Sequence, residues 1–194
     1  MSAGGTGACR EARVDAFPQA AVDEALDAAV RALLQAAFPT TEEFRRGRDY
    51  RHRAREGDFL IVGYAGDRLA ASVALYFATA RSEASDPISL GCIGNVCSDP
   101  DPELRGQGHA AACVRRALKI ARARGAAAAL LFCREGLVPY YERFGFLPVR
   151  NEVLLRGGNG ERFRRDWHDL RMLLPLQHPE WDSTLELELD VDDF

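Results

Sequence analysis

The stretch Arg105-Gly106-Gln107-Gly108-His109-Ala110 holds the residues of this 194-residue chain whose types and spacing most directly imply chemistry. Two glycines separated by one residue let backbone N–H groups approach a ligand without side-chain obstruction. They open an Ala-rich helical segment from Gly108 to Arg124, where the first donors lack intrahelical acceptors and the dipole favours negative charge. A loop built this way before a helix binds pyrophosphate. Arg105 adds a charge-assisted partner at its rim.

Two ligand classes fit this loop, beside the plain reading of a glycine turn that binds nothing. Gly106 to Ala111 also reads G-x-G-x-x-A, the dinucleotide fingerprint, with Glu135 at a ribose-binding position beyond the next strand. That fingerprint sits on a tight turn directly off a strand. Here the polar, proline-containing connection Ser98–Leu104 intervenes, and the segment before it has the pattern of an antiparallel hairpin.

The periodicity supplies the elements that must hold this loop. A short strand is expected over Ala12–Phe17. Apolar residues at Ala21, Ala25, Ala28, Ala29, Ala32 and Leu33 recur at helical spacing, and Pro39 closes that helix. Thr40 or Thr41 would cap a second helix with Glu42 and Glu43 in its first turn. Its arginines, Arg45 to Arg55, read as a solvated face. Phe59–Ala65 and Leu69–Thr79 flank the turn residues Gly66-Asp67 as a hairpin. After a polar break at Ser82–Pro87, Ile88–Cys97 is a further strand, in which Gly91 and Gly94 mark a bulge or a close approach.

In the Gly108–Arg124 helix, Val114, Ala117, Leu118 and Ala121 share a face, and Gly125 ends it. Ala126–Cys133 reads as a buried strand. Val138–Phe144 reads as a short helix ended by Gly145, Phe146–Val149 as strand, Gly157–Gly160 as loop and Leu170–Leu176 as a last strand. The order is mixed α/β in a single domain, without an internal repeat or a linker. Residues 1–10 are small and Gly-rich, and a disordered start is expected there.

Bulk properties exclude several classes. A net charge of −4 argues against a general nucleic-acid binder. No apolar run approaches the roughly 20 residues that span a bilayer, so no membrane partner is expected. The five cysteines form no C-x-x-C pair and no signal-peptide pattern precedes them, so they read as free thiols in the cytoplasm. His52, His168 and His178 show no metal spacing, and no metal is expected. From Pro179 to Phe194 there are seven acids and no Lys or Arg. That is either a solvated acidic tail or a lure for a cationic substrate.

The pattern Arg-x-x-Gly-x-Ala at 105, 108 and 110 resembles the acetyl-CoA pyrophosphate loop of the GNAT superfamily of N-acetyltransferases. Downstream, Val138-Pro139-Tyr140-Tyr141-Glu142-Arg143-Phe144-Gly145-Phe146 resembles that superfamily's second signature, a Tyr-x-x-x-Gly-Phe helix-to-strand turn. Two motifs in this order are far more specific than either alone. The resemblance covers Ala12 to Leu176 and implies the acyl-CoA N-acyltransferase fold over residues 11–176, with 177–194 as an acidic extension reaching the substrate.

The resemblance implies roles. Backbone N–H groups of Arg105, Gly106, Gln107, Gly108, His109 and Ala110 would hold the pyrophosphate of acetyl-CoA. Val96, Cys97 and Ser98 would pair with the pantetheine arm and polarise the thioester carbonyl. Tyr141 aligns with the tyrosine that protonates the departing thiolate, while Tyr140 and Phe144 are the better core residues. No base is evident: related aminoglycoside enzymes place an acid on the strand before this loop, where the corresponding stretch is Cys92-Ile93-Gly94-Asn95-Val96, and Asn95 cannot be a base but could orient water or a substrate group. Cys97 as a nucleophile lacks a histidine partner and reads as a strand-core thiol.

For the acceptor, the stretch from Arg171 through Trp181 to Phe194 resembles the end of aminoglycoside 2'-N-acetyltransferases, and more narrowly the kasugamycin-type enzymes. This resemblance implies that Asp192, Asp193 and the Phe194 carboxylate meet a small cationic amine. A protein or peptide N-acetyltransferase and an acetyl-CoA-binding sensor without catalysis are the other readings. A homodimer is the default expectation for exposed strand edges.

Overall fold

The computed structural model describes residues 13–39, 56–82, 85–150, 152–156, 162–164, 170–177 and 187–189. The expected second helix, the Gly157–Gly160 loop, the N-terminal residues and the acids at 190–193 lie outside the described residues.

The hairpin forms as its pattern predicts. Strands β1 (Arg13–Pro18), β2 (Phe59–Ala65), β3 (Arg68–Ser82) and β4 (Ser85–Ser98) pair antiparallel in turn. Both β3 and β4 run further than expected, into the polar break itself, where Ser82 pairs with Ser85. Inside a ladder even Ser and Asp satisfy their backbone groups, which local hydropathy cannot register.

Helix α1 (Glu24–Ala37) starts later than its apolar pattern suggests, because Asp23 caps it by accepting from the Leu26 N–H at 2.8 Å. Its residues Val30, Leu33 and Leu34 are buried against Leu60 and Val62 of β2. Helix α2 (His109–Ala123) covers the opposite face, with Cys113, Val114, Ala117, Leu118 and Ala121 on Ile61, Val73, Leu75 and Ile93. Strand β2 is therefore apolar on both faces, which explains its unbroken hydrophobic run. After α2, Gly125 donates to Arg122 O and Ala126 donates to Ala121 O, the Schellman pattern that ends a helix.

Strand β5 (Ala128–Cys133) follows, then the short helix α3 (Val138–Glu142), β6 (Leu147–Val149), β7 (Val153–Arg156), β8 (Arg162–Arg164), β9 (Leu170–Pro175) and β10 (Leu187–Leu189). The ten strands among the described residues belong to one sheet, ordered β6-β9-β5-β4-β3-β10-β7-β8, with β2 also pairing β3 and β1 pairing β2. The β4–β5 and β7–β10 pairs are parallel; the others are antiparallel. A mostly antiparallel sheet of this order excludes the dinucleotide-binding fold.

Three strands go beyond the sequence reading: β7, β8 and β10. The last lies within the acidic stretch, where Leu187 and Leu189 are fully buried beside Val153 and Leu155 of β7. They pack with Leu90, Cys92, Leu130 and Leu173 on the sheet face turned away from α2. The alternation Leu185-Glu186-Leu187-Glu188-Leu189 carries a strand signal that the charge count conceals.

Candidate functional site

The parallel ladder between β4 and β5 runs only from Leu90–Ala128 to Ile93–Leu131. Both strands continue past it, β4 to Ser98 and β5 to Cys133. Among the described residues, the β5-facing edge of β4 beyond Ile93 has no strand partner. The cause lies two residues further on. In the β3–β4 register Ser72 faces Cys97 and Ala74 faces Gly94, so Asn95 and Val96 together oppose Val73. This is a β-bulge, and it bends β4 away from β5. Asn95 takes φ +50°, the one positive φ outside glycine among the described residues.

The bulge inverts the side-chain alternation. Before it, Ile93 packs on the α2 side and Cys92 on the other; after it, Val96 packs on the α2 side and Cys97 on the α1 side. Gly91 does mark a close approach: a Cβ there would lie 2.9 Å from the Ala121 Cβ. Gly63 does the same on β2, 2.9 Å from the Cys113 Sγ. These two glycines let α2 press onto the sheet.

The connection from β4 to α2 is pinned. Asp99 Oδ1 accepts from the Asp101 N–H and Asp101 Oδ1 from the Glu103 N–H, two successive Asx turns made by Asp-Pro-Asp-Pro. Arg68, at the start of β3, donates to Asp99 Oδ2 at 2.8 Å and to Asp101 Oδ2 at 2.6 Å. The Glu103 N–H and then Arg68 hold the Asp101 carboxyl below its ordinary range. The Gln107 side chain donates to the Glu103 carbonyl. Sequence reasoning missed this clamp; the Asx turns were legible, but the Arg68 partner lies far away in the chain.

Gly106 and Gly108 take φ +78° and +85°, and a Cβ on either would meet nothing within 4 Å. Gly108 is the N-cap of α2 and contributes no side-chain cap. The first intrahelical bond runs from Ala112 N–H to Gly108 O, which leaves the N–H groups of His109, Ala110 and Ala111 as unpaired first-turn donors. Open glycines under an uncapped helix N-terminus suit an extended anionic group. Arg105, Gly106, Gln107 and Gly108 are exposed and Ala110 is half-buried. The His109 ring differs: it is buried, and neither nitrogen has a hydrogen-bond partner. Only its backbone N–H is left to the loop.

On the far side of the opening, β5 leads into α3. Tyr141 on α3 is buried within the α2-side cluster, in edge contacts with Tyr140 and Phe146. Burial pushes its phenol well above the ordinary tyrosine value. The expected core residues Tyr140 and Phe144 are less buried than Tyr141, since a five-residue helix turns its Tyr141 face inward. The Tyr140 hydroxyl is enclosed without a partner, and burial raises its pKa also.

Val96 and Ser98 are half-buried at the unpaired edge of β4. Cys97 lies with α1, 3.1 Å from the Ser72 hydroxyl, and burial pushes its thiol up to about 11. A thiol so protonated is a core group rather than a nucleophile. Asn95 donates to the Tyr76 hydroxyl at 3.2 Å. Among the described residues no group of His, Cys, Asp and Glu could hold a metal ion, and no helix is long and apolar enough to cross a membrane. Asp192, Asp193 and Phe194 lie outside the described residues.

A family model described as an acetyltransferase (GNAT) domain matches residues 20–149. The GNAT family N-acetyltransferase YhbS of Escherichia coli, solved in complex with CoA, superposes with a TM-score of 0.62 at 19% identity, covering 91% of this chain and 88% of that one. An acyl-CoA N-acyltransferase from Pseudomonas aeruginosa gives 0.57 at 18% identity, covering 84% and 98%. ElaA of Escherichia coli gives 0.56 at 16% identity, covering 84% and 98%. At these identities the likeness is one of fold. No curated protein sequence matches the chain. The family match spans the splayed strands, the loop before α2 and Tyr141 in one stretch, and on that ground the chain belongs to the GNAT acetyltransferase domain family.

Proposed function

We propose that this chain is an N-acetyltransferase that moves acetyl from acetyl-CoA directly to an amine in a ternary complex. The observation that carries this reading is the end of the β4–β5 ladder at Ile93–Leu131. It leaves an opening flanked by the chain that leads to the uncapped N-terminus of α2 and by the chain that leads to Tyr141.

Acetyl-CoA supplies the activated acyl group. The N–H groups of Gly106, Gly108, His109 and Ala110 hold its pyrophosphate, with the Arg105 guanidinium at the rim; the Arg105 and Gln107 N–H groups, expected to join them, donate within the loop to Asp101 O and Leu104 O. The free edge of β4 at Val96–Ser98 pairs with the pantetheine amides and donates towards the carbonyl oxygen as charge develops there. The amine nitrogen attacks the acyl carbon, the C–S bond breaks, and the Tyr141 hydroxyl gives its proton to the leaving sulfur. The phenol is protonated at neutral pH, and the burial that raises its pKa also raises the basicity of a thiolate formed beside it. The proton of the attacking amine leaves through water.

The finer reading of the acceptor is a small cationic amine, foremost the 2'-amino group of an aminoglycoside. It rests on the acidic composition of residues 179–194 and on the direction of β10. That strand runs antiparallel to β3, with Leu189 opposite Ala80, so β10 points along β3 in the direction of Tyr76. Tyr76 lies about 13 Å along β3 from Ala80 at strand spacing, a span that the five residues 190–194 can cover.

Measuring CoA release across aminoglycosides, polyamines and peptides tests the reading. Release with an aminoglycoside is expected. Turnover on peptides alone would replace the antibiotic acceptor by a protein one. Acetyl-CoA binding without turnover on any amine would make the chain a sensor.

A further inference from the structure

Asn95 is an anomaly for a strand residue. Its backbone takes φ +50°, a conformation that glycine adopts at lower cost, and Gly94 stands immediately before it. After glycine, asparagine tolerates this conformation best, so the case for its side chain rests on what that side chain touches. That side chain donates to the Tyr76 hydroxyl at 3.2 Å. Among the described residues its carbonyl oxygen accepts no hydrogen bond, and the residue is only half-buried.

The two residues share a face. Leu75 and Phe77 pack on the α2 side of β3, so Tyr76 between them points the other way and packs beside the cluster of Leu90, Cys92 and Leu130. Asn95 reaches Tyr76 and so stands on that same side. Tyr141 belongs to the α2-side cluster. The Asn95–Tyr76 pair and the Tyr141 phenol therefore lie on opposite faces of the sheet, at the place where β4 and β5 part.

We propose that Asn95 and Tyr76 position the acceptor: the Asn95 carbonyl oxygen takes a hydrogen bond from the amine, and Tyr76 fixes the plane of the Asn95 amide. This rests on the transferase reading above. A side-chain amide has its oxygen and nitrogen in one plane, so the bond to Tyr76 sets the direction in which the oxygen accepts. An amine that donates one N–H there keeps its lone pair for the acyl carbon. Attack then comes from one face while the thiolate leaves towards Tyr141 on the other. The amide takes no proton, so the pair orients the nucleophile and leaves its deprotonation to water. Primary and secondary amines can make the contact; tertiary ones cannot.

The test is steady-state kinetics with the best amine of the panel. Asn95→Gly suits the backbone and removes only the amide, and Tyr76→Phe removes only the hydroxyl. Each is expected to lower kcat/KM for the amine by about tenfold, the loss of one orienting hydrogen bond. Acetyl-CoA affinity and Tm should hold. The double variant should be no worse than the poorer single one, because the pair acts as a unit. Asn95→Gly within twofold of the parent, or losses that multiply, would overturn the assignment alone. A parent protein inert on every amine would overturn the transferase reading and this assignment with it.

Discussion

Ile93 and Leu131 are the last partners in the parallel ladder between β4 and β5. Two residues later the bulge at Asn95–Val96 turns β4 aside, and among the described residues the β5-facing edge of β4 beyond Ile93 has no strand partner. The site is thus made by stopping a sheet, and the residues that stop it are as much a part of it as those that touch the ligand.

The approach of α2 to this ladder depends on Gly91. In Gly91→Ala the new Cβ meets the Ala121 Cβ at 2.9 Å, and a methyl on a helix backbone cannot swing away. Overpacking of this kind costs ~1–3 kcal/mol. Thermal denaturation should show a Tm lower by roughly 2–4 °C for each kcal/mol. An unchanged Tm would mean that helix and sheet are less closely packed than the 2.9 Å contact requires.

Tyr141→Phe keeps the aromatic packing with Tyr140 and Phe146 and deletes the proton donor. We expect kcat to fall by about 10²–10⁴, the usual weight of an acid catalyst, while acetyl-CoA affinity stays within about twofold of the parent. Because burial raises the phenol's pKa, the protonated donor persists well into alkaline pH, so the parent should show no loss of kcat through its deprotonation near neutrality. An undiminished kcat in the variant would end the acid role.

The Arg68 clamp makes loop order depend on pH. Asp101 titrates below its ordinary range, so its contribution is present above the unfolded carboxylate pKa and is lost as pH falls through the lowered folded value. Arg68→Ala removes one cause of the lowering and keeps the other, the Glu103 N–H. In calorimetric titrations the variant should bind acetyl-CoA more weakly than the parent. Its affinity should also begin to fall at a higher pH on acidification. Curves of the same shape at all pH would separate the clamp from the loop.

Deleting Val191–Phe194 leaves β10 whole, since that strand ends at Leu189. KM for a cationic acceptor should rise, more at low ionic strength than at high, while acetyl-CoA binding is spared. An unaltered KM would assign these acids to solvation.

Much of this was legible in the sequence. Strand and helix periods gave β2, β3, α1 and α2, because each buries an apolar face in a regular repeat. The loop at Arg105–Ala110 was legible because glycine spacing before a helix is a local property, and Tyr141 because it stands at a fixed distance from Gly145-Phe146. Strands β7, β8 and β10 were not. Strands β7 and β8 pair with each other over three residues each, too few to show a period, and β10 pairs only with partners far away in the chain, while its acids overshadowed the buried Leu187 and Leu189.

The sequence by itself determined that a glycine-bearing loop precedes a long helix and that Tyr141 stands on a short helix before Gly145-Phe146. Tertiary structure alone decided the rest: that the bulge falls at Asn95–Val96, that β4 and β5 part after Ile93, that Arg68 holds the loop by Asp99 and Asp101, and that the His109 ring faces inward. The reason is physical. Register and strand separation arise from hydrogen bonds between segments tens of residues apart, and no local pattern of side chains encodes which of them will meet.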